Sequence, residues 1–172
     1  MADGYYTEQV HGPHEYFDLG HFELASGFVL PEARLAYKTM GTLSAAKDNA
    51  ILLPHMYTGT AAFMTAYVGP GRPLDPDKYF CILPAQWRAA DVSANAGGDM
   101  DAALDRITAA TTLVAFTGDL FFPPEDIRAD AERIPGAKFR ETGTAWGHFT
   151  MFNLREQDTA AIDAIYADVL AG

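Results

Sequence analysis

Thr111-Thr112-Leu113-Val114-Ala115-Phe116-Thr117-Gly118-Asp119 is the stretch on which the fold reading turns. Its apolar run from 111 to 116 is nearly unbroken, and Asp119 follows it after only Thr117 and Gly118. A run that does not alternate predicts a strand covered on both faces, as in a parallel sheet. Ala50 to Leu53 and Tyr79 to Leu83 have the same character. Further strands are predicted at Phe22 to Leu24, Arg34 to Met40 and Lys138 to Arg140.

Helical spacing fills the gaps in the second half. Asp99 to Ile107 places Met100, Ala103, Leu104 and Ile107 on one stripe. Pro124 to Ile134 opens with Pro-Glu-Asp, proline and acids where a helix N-terminus favours them, and carries Ile127, Ala131 and Ile134 at i, i+4, i+7. Asp158 to Leu170 repeats the period with Ile162, Ile165, Tyr166 and Val169. Helix, strand, helix, strand, helix from 99 to 170 is a parallel α/β pattern.

In a right-handed βαβ unit the carboxyl ends of both strands face one edge of the sheet. Asp119 directly follows one strand, and His148 lies in Gly143-Thr144-Ala145-Trp146-Gly147-His148 just after the next. An acid and a histidine so placed occupy the edge where open α/β sheets hold ligands and catalytic groups. The plainer alternative is a turn or capping role for Asp119 and an ordinary loop histidine at 148.

Composition bounds the rest. The chain has 172 residues, 49% hydrophobic and 20% charged, which suits one globular domain, residues 1–172. Twelve basic against 23 acidic residues give a net charge of −11, which argues against nucleic acid or an anionic membrane surface as partner. No run reaches membrane-span length, and Met1-Ala2-Asp3-Gly4 lacks a signal-peptide pattern, so a cytoplasmic location is expected. Cys81 is the single cysteine, so no disulfide framework or thiolate metal cluster is expected; its apolar surroundings predict a buried structural thiol. His11-Gly12-Pro13-His14 and His21 lack helical metal-ligand spacing and read as a solvated N-terminal lead. Gly69-Pro70-Gly71 fits neither nucleotide-binding glycine motif, and no cofactor is expected.

Several segments form an ordered set: Phe17-Asp18-Leu19-Gly20, Leu35-Ala36-Tyr37-Lys38-Thr39-Met40-Gly41-Thr42-Leu43, Ala50-Ile51-Leu52-Leu53-Pro54-His55-Met56-Tyr57-Thr58-Gly59, and then Gly69-Pro70-Gly71, Leu74-Asp75 and Tyr79-Phe80-Cys81-Ile82-Leu83. That set resembles the homoserine O-acetyltransferase-like α/β-hydrolases. Gly118-Asp119-Leu120-Phe121-Phe122-Pro123-Pro124-Glu125 resembles the family's acid loop, and Trp146-Gly147-His148-Phe149 its histidine loop. The resemblance implies an α/β-hydrolase-type, mostly parallel sheet and a Ser-Asp-His triad, with acetyl- or acyl-CoA as donor co-substrate and the hydroxyl of an amino acid as acceptor. It implies Asp119 as the orienting acid, His148 as the general base, and the Tyr57 backbone N–H as half of an oxyanion hole. For His55, a buried strand-end role is as good an account as a chemical one.

The nucleophile breaks the pattern. Gly-x-Ser-x-Gly should follow Leu83-Pro84-Ala85-Gln86, yet Ser26, Ser44 and Ser93 are the only serines and none has that setting. Gln86 runs directly into Trp87-Arg88-Ala89-Ala90-Asp91-Val92-Ser93, which resembles the family's segment after the lid. The join at Gln86/Trp87 therefore looks like an internal deletion that truncates the fold, removing the elbow, central strands and lid. Ser93, without flanking glycines, reads as a loop serine. Three readings stay open: an acyltransferase or hydrolase lineage with little turnover in this chain, a non-catalytic binding or scaffold protein on a degenerate hydrolase fold, or an enzyme completed by another chain. Strands deprived of their neighbours also raise the expectation of self-association.

Overall fold

The structure, a computed structural model, describes residues 7–24, 26–55, 59–84, 93 and 96–171. The chain forms two compact units, Met1–Trp87 and Arg88–Gly172. The join at Gln86/Trp87 lies outside the described residues.

The first unit contains α1 (Glu8–His11), β1 (Glu15–Glu23), β2 (Val29–Met40), β3 (Ala50–Leu52), α2 (Ala61–Met64) with a 3-10 turn at Thr65–Tyr67, and β4 (Phe80–Pro84). The sheet order is β1-β2-β4-β3. β1 and β2 form an antiparallel hairpin from Glu15↔Tyr37 to Glu23↔Val29, and β2 pairs antiparallel with β4. β3 joins β4 in parallel, Ala50↔Phe80 to Leu52↔Ile82. On β4, Cys81 and Leu83 are fully buried, and Leu74, Ala33 and Ala36 are buried in the same unit. The alternate residues Phe80, Ile82 and Pro84 line an open groove of about 460 Å³ with Phe17, Leu35 and Leu52. This is the period of two that separates the faces of a strand.

Gly41 shows why one residue type is required where β2 ends. Its φ is +87°, and a Cβ there would run into the backbone carbonyls of Tyr79 and Pro76 as the chain enters β4. Asn49 ties the same corner together. Its side-chain oxygen accepts from Ser44 N–H at 2.9 Å, and its amide donates to the carbonyls of Thr42 and Lys78, both at 3.0 Å.

Two expectations are corrected in this unit. β3 is not covered on both faces: Leu52 is 61% exposed, because β3 pairs only with β4 among the described residues and so forms an edge. His11 is buried rather than solvated. It ends α1, and its carbonyl accepts from Lys38 Nζ at 3.2 Å, which draws this segment towards β2.

The second unit runs α3 (Met100–Leu104), β5 (Thr112–Phe116), α4 (Pro124–Arg133), β6 (Lys138–Thr142), a 3-10 helix at Gly147–Phe152, and α5 (Glu156–Ala171). β5 and β6 pair in parallel from Thr112↔Lys138 to Phe116↔Thr142, with α4 as the crossover. Thr117 N–H continues the ladder to Thr142 O at 3.0 Å. α3 starts at an Asp99 cap, whose Oδ1 accepts from Ala102 N–H at 3.0 Å. α4 opens with Pro124 in the first turn, followed by Glu125 and Asp126. Ala131 and Ile134 from the predicted α4 stripe are buried, as are Leu104, Ala115, Ile162 and Ile165. Among the described residues no helix is long and apolar enough to cross a membrane.

Candidate active site

The second unit brings Asp119 and His148 together at the carboxyl ends of its two parallel strands. β5 ends at Phe116, and Asp119 N–H bonds back to Phe116 O at 3.1 Å, closing a tight turn through Gly118 at φ +75°. The side chain is 4% exposed. Asp119 Oδ1 accepts from the backbone N–H groups of Phe121, at 2.8 Å, and Phe122, at 2.9 Å. Oδ2 faces His148 Nδ1 at 3.0 Å. Burial pushes the carboxyl pKa up, but the Phe122 N–H, the His148 contact and the Phe121 N–H together hold it below the ordinary value. The acid is therefore ionised at neutral pH. An ionised carboxylate has only acceptors, so His148 Nδ1–H is the donor.

His148 comes from the 3-10 helix after β6, and its loop is pinned by the hydroxyl pair Thr144–Thr150 at 2.6 Å. Thr150 is fully buried. Three rings surround the imidazole: Phe121 at 4.8 Å, Phe122 at 5.5 Å and Phe152, edge-on, at 6.0 Å between centroids. The His148 side chain stays 18% exposed. With Nδ1–H committed to Asp119, Nε2 is the nitrogen that carries the lone pair in the neutral imidazole, and no described residue hydrogen-bonds it. That is the arrangement of a general base: one nitrogen oriented by an acid, the other open to take a proton.

The capping alternative for Asp119 describes half of what it does, since one oxygen caps the turn and the other holds the histidine. Sequence reasoning missed Phe121 and Phe122, whose backbone N–H groups and rings both serve the pair. The signal was available, because an Asp accepting from N–H groups two and three residues on is a standard turn device.

Other candidates fall elsewhere. Tyr57 lies outside the described residues. His55 is buried at the end of the β3 segment, next to buried Leu53. Cys81 is fully buried, and burial raises its pKa, as for a structural thiol. Ser93 sits in a turn whose carbonyl accepts from Ala96 and Gly98 N–H. Ser44 Oγ donates to Asp48 Oδ1 at 2.7 Å in an exposed loop.

No family model matches the chain. It is 42% identical over 102 residues to an ethyl acetate hydrolase of Pseudomonas veronii, covering 57% of this chain and 29% of that protein. It is 35% identical over 86 residues to a homoserine O-acetyltransferase of Leifsonia xyli, 42% of this chain and 21% of that one. The chain thus covers less than a third of these curated relatives. An acetylester hydrolase structure from Corynebacterium glutamicum superposes with a TM-score of 0.87 at 19% identity, over 96% of this chain and 98% of that chain. Over part of its length the chain is thus similar in sequence to esterases and homoserine O-acetyltransferases, and over nearly all of it the chain shares the fold of the acetylester hydrolase structure.

Proposed function

We propose that Asp119 and His148 are the acid and general base of an acyl-ester site, in a lineage that hydrolyses or transfers small acyl groups, and that this chain turns over slowly. The observation that carries the reading is the 3.0 Å contact between a buried, ionised carboxylate and Nδ1 of an imidazole whose Nε2 is open. The relatives named as an ethyl acetate hydrolase and a homoserine O-acetyltransferase support ester chemistry on a small substrate. Acyl-CoA is the corresponding donor if the reaction is transfer.

In this mechanism His148 Nε2 withdraws a proton from the attacking hydroxyl while Asp119 holds the tautomer and stabilises the imidazolium. A positioned general base contributes about 10²–10⁴ in rate. In a triad the attacking hydroxyl belongs to serine, and none of the three serines here lies in an elbow sequence. His148 is then left to activate water or an acceptor hydroxyl directly, without an acyl-enzyme. The missing elbow also favours a second reading, a non-catalytic binding protein on the same fold.

Turnover of p-nitrophenyl acetate by the full chain separates the two. We expect slow hydrolysis that His148→Ala lowers at least about tenfold. Asp119→Asn should lower it similarly. With Oδ1 kept for the two N–H groups, the new amide nitrogen faces Nδ1 and forces the wrong tautomer. Equal rates in wild type and both variants would overturn the reading; stoichiometric labelling of a serine by an organophosphonate would instead overturn the route without an acyl-enzyme.

A further inference from the structure

Trp146 sits at the start of the 3-10 helix that carries His148, and three contacts hold it. Its N–H donates to Thr144 Oγ1 at 3.1 Å, and its carbonyl accepts from Phe149 N–H at 3.1 Å. Its ring lies beneath the Arg155 guanidinium, with Cζ 4.5 Å from the ring centroid. Burial does not explain the ring's place, because Trp146 remains 45% exposed.

Arg155 has little freedom of its own. Its Nε donates to Asp158 Oδ2 at 2.7 Å and its Nη2 to Oδ1 at 2.6 Å, a two-pronged pair within the first turn of α5. The Asp158 side chain is 3% exposed, so its charge depends on that partner. A forked contact to both carboxylate oxygens fixes the plane of the guanidinium, which a single-pronged ammonium would not. The Arg155 carbonyl also accepts from Asp158 and Thr159 N–H, at 3.0 and 2.9 Å, tying the residue to the helix start.

Between Trp146 and His148 stands Gly147, at φ +50°. Its backbone packs against the Gly118 carbonyl on one side, and because glycine is the most permissive joint in the backbone, the contacts of Trp146 on its other flank also help to set the direction in which His148 leaves it. The aromatic rings around His148 restrict the tilt of the imidazole but not the path of the chain entering it. We propose that Arg155 is a positioning residue for His148: locked by Asp158, it clamps Trp146 against the start of α5 and so holds the imidazole on Asp119. Its role in an ester site rests on the reading of His148 as base; the geometric claim does not.

The test reads the His148 Nδ1–H proton by NMR in the full chain labelled at histidine, together with its exchange with water. Asp119→Asn, which removes the carboxylate acceptor, assigns the signal. Arg155→Met should speed exchange about fivefold, the size expected for one partly exposed cation–ring contact. Arg155→Lys should fall between, keeping charge over the ring but losing the fork. Trp146→Leu leaves the Arg155–Asp158 pair intact and should reproduce the Arg155→Met effect; it decides the matter if loss of Arg155 unfolds the chain. Arg155→Met/Trp146→Leu should exchange no faster than Arg155→Met alone, because that variant has already lost the Trp146 contact. An unchanged signal in Trp146→Leu, additive effects in the double variant, or no hydrogen-bonded Nδ1–H in wild type would overturn the proposal. Ester turnover indifferent to His148→Ala would instead overturn the function while leaving the clamp standing.

Discussion

Gly147 packs so tightly against Gly118 that the histidine loop and the acid loop meet backbone to backbone. A Cβ on Gly147 would collide with the Gly118 carbonyl and sit 3.0 Å from Asp119 N. The residue also has φ +50°, a conformation that costs an L side chain about 1–2 kcal/mol. Gly147→Ala should therefore destabilise the chain by at least that amount and separate the two loops. Thermal unfolding should show a lower midpoint, and the His148 Nδ1–H signal should weaken more than global stability falls. A variant with wild-type melting and an intact signal would contradict the close approach.

Asp119 also predicts an acid limb. Its folded pKa lies below the ordinary carboxylate value of about 4. A depressed folded pKa stabilises the fold above the unfolded pKa, and that stabilisation is lost as pH falls through the folded value. Asp75, held down by the N–H groups of Asp77 and Gly71, and Asp158, held down by Arg155, act in the same direction. Wild-type stability should fall as pH drops below about 4. Asp119→Asn, less stable at pH 7, should lose less over the same interval. Denaturant midpoints measured between pH 7 and pH 2 provide the check; parallel curves for the two proteins would refute it.

The meeting of Asp119 and His148 was legible because both follow parallel strands of one βαβ unit, and strand ends are marked by local residues such as Gly118. The brace on His148 was not. Arg155 and Asp158 stand three apart on a helix, a spacing that usually means a solvated ion pair, and only the fold brings Trp146 under the guanidinium. β1 was read only at its end because irregularities between Asp18 and Gly20 and between Gly20 and Phe22 interrupt the alternation that reveals a half-exposed strand. His11 misled for a similar reason. Gly12 and Pro13 mark a break in the chain, but burial of the preceding residue depends on where that chain docks.

Leucine provides a direct comparison of core and surface. Leu83 is fully buried on β4, whereas Leu120, next to Asp119, is 90% exposed. Leu83→Ala should cost about 2–5 kcal/mol, combining lost transfer energy with a residual cavity. Leu120→Ala should stay within about 0.5 kcal/mol. Equilibrium unfolding in urea measures both. Similar losses for the two would mean that Leu120 is covered in solution.

Leu120 leads to the question of assembly. Phe121 and Phe122, whose rings lie against His148, are exposed, as are Phe149 and Leu154 in the same unit, so the unit presents apolar surface. In the separate sheets, β3 pairs only with β4 and β5 only with β6 among the described residues. Each therefore presents backbone donors and acceptors along one side, and such edges template pairing with further strands. A net charge of −11 opposes association at long range, but salt screens it beyond about 8 Å at physiological ionic strength. We therefore expect association that strengthens as salt rises, with apolar surface and strand edges supplying the contacts. Light scattering over a dilution series at two salt concentrations would reveal it as a mass that rises with protein and with salt. Leu120→Lys with Phe121→Lys should reduce that mass at unchanged far-UV circular dichroism. A monomer at every concentration and salt level would show that these surfaces are satisfied within one chain.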